Sequence, residues 1–226
     1  VAIGNSSKAT GGSSTALGAK ANAAGASAIA IGSETSADQQ SSLAIGDRMK
    51  ATGAYATAVG NYGQATGTKS TAIGAFAKAS GTNATSLGAN TVASQEAAAA
   101  LGSYAEATGL RSTAVGVNAA ASGQSSQAMG DHAEATGFGA TAVGKAAKAK
   151  AQSAGAFGDT ANATGVQSLA AGYSTTATSE DSNAIGSRTS STGKYATAVG
   201  TEANASGESG FAAGAKINAT GNQSTA

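Results

Sequence analysis

The sequence predicts an all-β fold, a parallel β-roll whose turns are fourteen residues long. Glycine recurs at every fourteenth position, sixteen times without insertion or deletion, from Gly4 to Gly214. A fixed period of this kind means that one structural unit is stacked on itself. The chain has no proline and few large apolar residues, so its core must be thin and filled with small side chains. We therefore expect residues 1–226 to form a single β-roll segment of about sixteen turns, a fragment of a longer array.

Each repeat predicts two short strands and two tight turns. Residues take positions 0 to 13, counted from the preceding repeat glycine. Position 12 is alanine except at Ser86, position 5 is alanine except at Ser191, and position 7 is glycine in twelve of sixteen repeats. Both halves of the repeat alternate with a period of two and end at a glycine, as strands do. We expect the glycines to supply positive φ at the turns.

Charged residues predict that each repeat stacks directly on the next. Pairs of charged residues fourteen apart are always opposite in sign, and no like-charged pair occurs. Side chains in register on neighbouring strands lie close enough for like charges to repel each other. The pairs are Lys20–Glu34, Glu34–Arg48, Asp131–Lys145, Lys145–Asp159, Arg188–Glu202, Glu202–Lys216, Glu180–Lys194, Lys194–Glu208 and Glu134–Lys148. The pattern favours one repeat per turn, with parallel strands in register.

The same charges indicate which positions face water. Charged residues and His132 occupy positions 1, 2, 4, 6, 8 and 9 only. Alternation then places positions 3, 5, 7, 10, 12 and 0 inside the roll and turns positions 11 and 13 outward. These outward positions carry no charge and hold most of the large aliphatic residues, which is typical of an interface with copies of the same chain. The predicted interface residues are Ile31, Ile45, Val59, Ile73, Leu87, Leu101, Val115, Val143, Ile185 and Val199.

The repeat resembles the head of the YadA-like trimeric autotransporter adhesins. The stretches Ser27–Ser33 and Ser42–Gly46 nearly spell the fourteen-residue motif of that family, and looser copies such as Ser70–Gly74 fill the rest of the chain. The resemblance implies a left-handed parallel β-roll that assembles as a homotrimer. It also implies display on a Gram-negative cell surface, with an outer-membrane anchor in a C-terminal region outside this segment. The implied partners are host matrix proteins such as collagen, fibronectin or laminin.

The residues give no basis for an enzyme, a cofactor or a metal site. The chain has no cysteine, and His132 is its one histidine. It therefore lacks the residues from which a His/Cys metal cluster or a Ser-His-Asp triad is usually made. A formal net charge of +1 gives no reason to expect nucleic acid. No apolar run is long enough for a membrane span, so we expect no direct membrane insertion by this segment.

Exposed aromatic residues are the candidate ligand contacts. Tyr62 and Phe76 share position 2 on adjacent turns, and Tyr104 lies two turns further on. Aromatic residues are enriched at binding hot spots, although single surface rings also simply cover turns. An adhesin head is therefore the predicted function. The alternatives are a structural spacer or fibre segment and, less favoured because a second exposed threonine column is missing, an ice-binding solenoid.

Overall fold

Every turn of the structure contributes one strand to each of two parallel sheets, which we call sheet A and sheet B. The structure is a computed structural model that describes residues 1–226. It divides into two units, residues 1–111 and 112–226, and each unit contains eight turns. The all-β parallel solenoid predicted from the sequence is confirmed. The structure contains no helix, and therefore no helix that could cross a membrane.

In the first unit, the odd-numbered strands form sheet A and the even-numbered strands form sheet B. Sheet A consists of β1 (Ala2–Ile3), β3 (Thr15–Leu17), β5 (Ile29–Ile31), β7 (Leu43–Asp47), β9 (Thr57–Asn61), β11 (Thr71–Ile73), β13 (Thr85–Leu87) and β15 (Ala99–Leu101). Sheet B consists of β2 (Lys8–Ala9), β4 (Asn22–Ala23), β6 (Ser36–Ala37), β8 (Lys50–Ala51), β10 (Gln64–Ala65), β12 (Lys78–Ala79), β14 (Val92–Ala93) and β16 (Glu106–Ala107).

The second unit repeats this arrangement. Its sheet A consists of β17 (Thr113–Val115), β19 (Gln127–Met129), β21 (Thr141–Val143), β23 (Gly155–Phe157), β25 (Leu169–Ala171), β27 (Asn183–Ser187), β29 (Thr197–Thr201) and β31 (Phe211–Ala215). Its sheet B consists of β18 (Ala120–Ala121), β20 (Glu134–Ala135), β22 (Lys148–Ala149), β24 (Asn162–Ala163), β26 (Thr176–Ala177), β28 (Ser190–Ser191), β30 (Asn204–Ala205) and β32 (Asn218–Ala219).

Within each unit the register between turns is fourteen residues, as the charges predicted. Ala16 pairs with Ala30 in sheet A, and Ala23 pairs with Ala37 in sheet B. Backbone amides donate to carbonyls of the neighbouring turn, as Ile29 does to Ser42 at 2.9 Å. Hydrogen bonds between turns thus satisfy the backbone N–H and C=O groups even of strands that are only two or three residues long.

The core between the two sheets is made of alanine, serine and threonine. Except for Ala2 and Ala9 in the first turn, the alanines at position 5 of sheet B and position 12 of sheet A are fully buried and pack against each other, as Ala198, Ala205 and Ala212 do. Met49 is the largest fully buried side chain and an exception that the sequence did not reveal. It fits because Gly63 occupies the same position one turn later, where a Cβ would lie 2.8 Å from Met49 Cε.

The strands of sheet A differ in length. Most sheet A strands have three residues, but β7, β9, β27, β29 and β31 have five. Three of these lead into turns that hold Met49, Thr189 or Ile217 at position 3. Gly63 and Ala203 at position 3 also follow five-residue strands, whereas Thr35, Thr91 and Thr175 follow three-residue strands, so side-chain size at position 3 does not by itself set the strand length.

The glycines lie where predicted along the chain, but two expectations about them are wrong. Glycines at position 0 have φ between +121° and +139°, and a Cβ on Gly18 would lie 2.3 Å from the Gly32 carbonyl oxygen. They therefore face the next turn rather than the interior. Glycines at position 7 lack positive φ. Most of them are buried, as Gly25 and Gly53 are, whereas Gln39 and Gln95 at that position are exposed.

Besides the position 0 glycines, positions 2 and 9 also have positive φ at the corners. Every residue at these positions except Gly139 is a non-glycine, with φ between 51° and 60°. The amide of a position 2 residue donates to the preceding turn, as Tyr62 N does to Asp47 O at 2.9 Å. This hydrogen bond offsets part of the conformational cost of about 1–2 kcal/mol for a left-handed residue. Tertiary stacking thus overrides the preference for glycine.

Candidate functional site

The first candidate site is the uncharged outer face of sheet A, which we call the apolar stripe (positions 11 and 13). Because the alanine at position 12 points inward, the residues on either side of it point outward. None of the ten predicted interface residues is buried; Ile73 is 37% exposed and Leu87 is 41% exposed. In the first unit, register places Ile31, Ile45, Val59, Ile73, Leu87 and Leu101 in one unbroken column.

The second unit continues the same pattern with more variation in side-chain size. Its column contains the predicted residues Val115, Val143, Ile185 and Val199, together with Met129, Phe157 and Ala171. Phe157 is 41% exposed and lies over Gly155, where a Cβ would be 2.9 Å from the ring. Position 13 is thus apolar in both units, whereas position 11 is uncharged but most often threonine, with Gln127 and Asn183 in the second unit. The burial of the apolar stripe against other chains remains a prediction.

The second candidate site is a pair of stacked rings on the surface of the first unit. The rings of Tyr62 and Phe76 lie with centroids 5.3 Å apart and planes 12° from parallel. Phe76 is 50% exposed and Tyr62 38% exposed. Tyr104, the third predicted contact, is exposed but makes no ring contact with the other two. The structure therefore brings two of the three predicted residues together.

Arg48 extends this pair of rings, and the sequence reasoning missed its role. The Arg48 guanidinium carbon lies 5.1 Å from the Tyr62 ring centroid, and Arg48 Nη1 donates a hydrogen bond to Tyr62 Oη. Such a cation–π contact contributes about 0.5–1 kcal/mol at an exposed site. The available signal was that Arg48 occupies position 2 one turn before Tyr62, since residues at one position on adjacent turns stack.

The predicted pairs of opposite charges fourteen residues apart, which we call the charged ladders, are only partly formed. Five of the nine predicted pairs have oppositely charged atoms within 4 Å: Lys20–Glu34, Glu34–Arg48, Glu134–Lys148, Glu180–Lys194 and Arg188–Glu202. In the other four pairs the charged atoms are further apart. Asp131, for example, contacts His132 at 2.7 Å rather than Lys145. Exposed pairs gain at most about 1 kcal/mol, so register alone does not force contact.

Glu34 is the most strongly paired carboxylate of these ladders. Arg48 Nε donates to it at 2.9 Å and Lys20 Nζ at 3.2 Å. The hydrogen bonds from Arg48 and Lys20 lower the pKa of Glu34 below its ordinary value, and the bond to Glu34 raises the pKa of Arg48. The position 2 column from Lys20 to Phe76 is therefore a continuous series of contacts, charged at one end and aromatic at the other.

A surface cavity in the second unit brings together no recognisable catalytic group. It is an open groove of about 520 Å³, and its lining includes Asn118, His132, Glu134 and Lys148. His132 is exposed, as expected, and its Nδ1 lies 2.7 Å from Asp131 Oδ1. No three histidine, aspartate or glutamate side chains in the structure converge as metal ligands would.

These features define a class of protein: a parallel β-solenoid of small-residue turns with an apolar stripe outside its core. The sequence profile of the YadA head domain repeat matches residues 1–105 in overlapping segments, and residues 107–133, 135–161, 163–189 and 191–216 in separate ones. The chain belongs to the YadA head domain repeat family, a family of trimeric-autotransporter adhesins rather than enzymes. Membership implies a surface adhesin of the Gram-negative outer membrane. A comparison with curated protein sequences gave no significant match.

Proposed function

We propose that this chain is the head of a surface adhesin in which three identical left-handed rolls pack their apolar stripes around a common axis. The observation that carries the proposal is the stripe itself. It runs the length of sheet A in each unit, contains no charge and remains open to solvent in the single chain. A soluble protein does not leave a surface of this kind uncovered without a partner. Identical copies are the simplest partner, since their stripes match turn by turn.

The proposed role of the trimer is multivalent attachment to the host. With the three stripes at the axis, sheet B and the corners of each roll face outward. Family resemblance points to collagen, fibronectin or laminin as ligands and to a C-terminal outer-membrane anchor outside this segment. Many similar turns on three chains offer many near-equivalent contacts, so avidity strengthens binding that is weak at any one of them.

Assembly is tested by placing one charge on the stripe and one on the opposite side. We expect Ile73→Asp to dissociate or loosen the trimer, because three carboxylates would meet at one level of a desolvated axis. Thr66→Asp is the matched control, since Thr66 is exposed on the sheet B side. Sedimentation should give a three-chain mass for the wild type and for Thr66→Asp. A wild-type protein that is a well-folded monomer would contradict the proposal.

Adhesion is tested by binding of the wild-type trimer to immobilised collagen, fibronectin and laminin. Concentration-dependent binding to at least one of these, with albumin as the blank surface, supports an adhesin head. A stable trimer that binds none of the three favours the structural spacer instead. The two measurements are independent, so assembly and adhesion are judged separately.

A further inference from the structure

The surface around the stacked rings combines aromatic, amide and cationic side chains on one face. Positions 3 and 5 are buried in these turns, so the side chains at positions 2 and 4 both point outward. Register aligns position 4 of β8, β10 and β12 as Lys50, Gln64 and Lys78. We call the following set the aromatic patch: Arg48, Tyr62 and Phe76 at position 2, with Lys50, Gln64 and Lys78 at position 4.

The charges of the aromatic patch are not balanced in the manner of the ladders elsewhere. Lys50 and Lys78 are exposed and form no ion pair, and Gln64 rather than an acid lies between them. Asp47 is the one carboxylate in the three turns that contain the patch. The two ammonium groups therefore recur every second turn, on strands about 4.8 Å apart per step, with no intramolecular partner. This arrangement is complementary to an extended polyanion whose acidic groups recur at every second residue.

The aromatic rings of the patch favour a polysaccharide over other polyanions. A pyranose ring presents C–H groups on one face, which pack against an aromatic ring, while its hydroxyl groups bond amides such as Gln64. Phe76 is half exposed and lies two residues before Lys78, in the turn that contributes β12, which places an apolar surface beside that cation. A sugar residue in an extended chain is about as long as one strand spacing, roughly 4.8 Å. Acidic sugars thus match both the rings and the lysines.

Other polymers fit the aromatic patch less well. Strand β10 is paired on both sides, by β8 and β12, so a peptide cannot add to a free sheet edge there. Single-stranded nucleic acid stacks successive bases on separate rings. Here Tyr62 and Phe76 stack on each other and Arg48 lies against Tyr62, which leaves no gap for a base.

We propose that the aromatic patch binds an acidic polysaccharide of the host matrix, one that alternates uronate with sulfated amino-sugar residues. Lys50 and Lys78 contact the carboxylates of successive uronates, which recur at every second residue. The exposed part of the Phe76 ring packs against the amino sugar between them, Tyr62 supports Phe76 from below, and Gln64 bonds the sugar hydroxyls. Arg48 holds the Tyr62 ring in place. The proposal rests on the proposed function, because a surface-displayed trimer presents three such patches to one matrix. It identifies a ligand class different from the matrix proteins implied by resemblance.

Binding is tested by surface plasmon resonance with immobilised heparan sulfate as the probe. Neutral dextran, polyglutamate and oligothymidylate serve as comparison polymers. We expect the wild type to bind heparan sulfate, and we expect Tyr62→Ala with Phe76→Ala, and Lys50→Gln with Lys78→Gln, each to weaken binding at least tenfold. The matched controls are Phe138→Ala, an exposed ring in the second unit, and Lys8→Gln with Lys216→Gln, which removes two charges elsewhere. These should stay within twofold of the wild type.

Three results would overturn the proposal. One is a trimeric wild type that does not bind heparan sulfate, and another is an equal loss of binding in the control variants. The third is equally tight binding of polyglutamate or oligothymidylate, which would show that charge alone, or another polymer, accounts for the interaction. Sedimentation and circular dichroism on each variant verify assembly and folding. If the wild type is a monomer, calorimetry with a soluble heparan sulfate oligosaccharide still tests the aromatic patch by itself.

Discussion

Two glycines in the second unit allow a direct test of why the repeat glycine never varies. Gly144, at position 0, has φ +130°, and a Cβ there would lie 2.3 Å from the Gly158 carbonyl oxygen of the next turn. Gly139, at position 9, has φ +63°, and the nearest atom to its Cβ would be Ser153 Oγ at 4.0 Å. Gly144→Ala should therefore destabilise the fold strongly, whereas Gly139→Asn should be tolerated.

The expected magnitude follows from this geometry. A Cβ at 2.3 Å forces the neighbouring carbonyl to move by roughly 1 Å, which weakens adjacent bonds between turns such as Gly158 N to Val143 O, now 2.8 Å. The lost hydrogen bonds and the strained φ together cost roughly 3–5 kcal/mol. Asparagine tolerates the left-handed region, and Asn83 already occupies it at position 9. We expect Gly139→Asn to change the free energy of unfolding by less than about 1 kcal/mol.

Thermal and urea unfolding of the two variants give the comparison. For a protein of this size, the predicted loss for Gly144→Ala corresponds to a melting temperature lower by about 6–20 °C. The melting temperature of Gly139→Asn should stay within about 4 °C of the wild type. If the two variants unfolded within about 1 kcal/mol of each other, close stacking at position 0 would not be the reason for the glycine. A crystal structure of Gly144→Ala with unchanged spacing between turns would also show that close stacking at position 0 is not the reason for the glycine.

Three further predictions concern the core, the charges and the register. Met49→Ala leaves a cavity beside buried alanines and should cost about 2–5 kcal/mol in urea unfolding, where a loss under 1 kcal/mol would contradict its burial. The pKa of Glu34 lies below its ordinary value of 4.5. The ionised carboxylate therefore contributes stability above pH 4.5, and this contribution is lost as the pH falls through the lowered pKa. In Arg48→Gln, a nuclear magnetic resonance titration should show that the pKa of Glu34 has risen. Deleting residues 75–88 should lower the melting temperature much less than deleting 75–81, because only the longer deletion keeps every column aligned, and equal tolerance would refute the fourteen-residue turn.

The sequence predicted the fold well where a physical constraint repeats in every turn. Alanine at positions 5 and 12 predicted the buried core, because only small side chains fit between sheets this close. Alternating charges fourteen residues apart predicted the register. The exposed, uncharged residues at positions 11 and 13, such as Ile73, predicted the face of sheet A that the structure leaves open. Each of these inferences used many turns, nine charge pairs for the register and sixteen repeats for the core and the outer face, so one exceptional residue could not mislead it.

The sequence did not predict features that occur in a single turn, the backbone conformation of the position 7 glycines, or contacts between different kinds of side chain. Nothing in the repeat indicated that Met49 would fit inside, because the space comes from Gly63 in the next turn. Glycine at position 7 suggested positive φ, yet its role is to permit close approach: a Cβ on Gly11 would lie 1.9 Å from the Gly25 oxygen. The contact of Arg48 with Tyr62 was missed because charged and aromatic residues were considered separately.

The positions of the repeat differ in how freely their side chains can vary, and therefore in whether they can carry binding specificity. Positions 0, 5 and 12 are restricted by contact with the next turn or with the core, so they hold glycine or a small residue. Positions 2 and 9 are restricted in φ but not in side chain, because the amide bond to the preceding turn, such as Phe76 N to Asn61 O at 2.8 Å, supports the conformation for any residue. Their side chains point into solvent at the corners of the roll. Five of the nine aromatic residues lie at these two positions: Tyr55, Tyr62, Phe76, Tyr104 and Tyr195. A roll that must keep its interior uniform can therefore vary its ligand contacts only along these corners and the adjoining outward positions, which is where the aromatic patch lies.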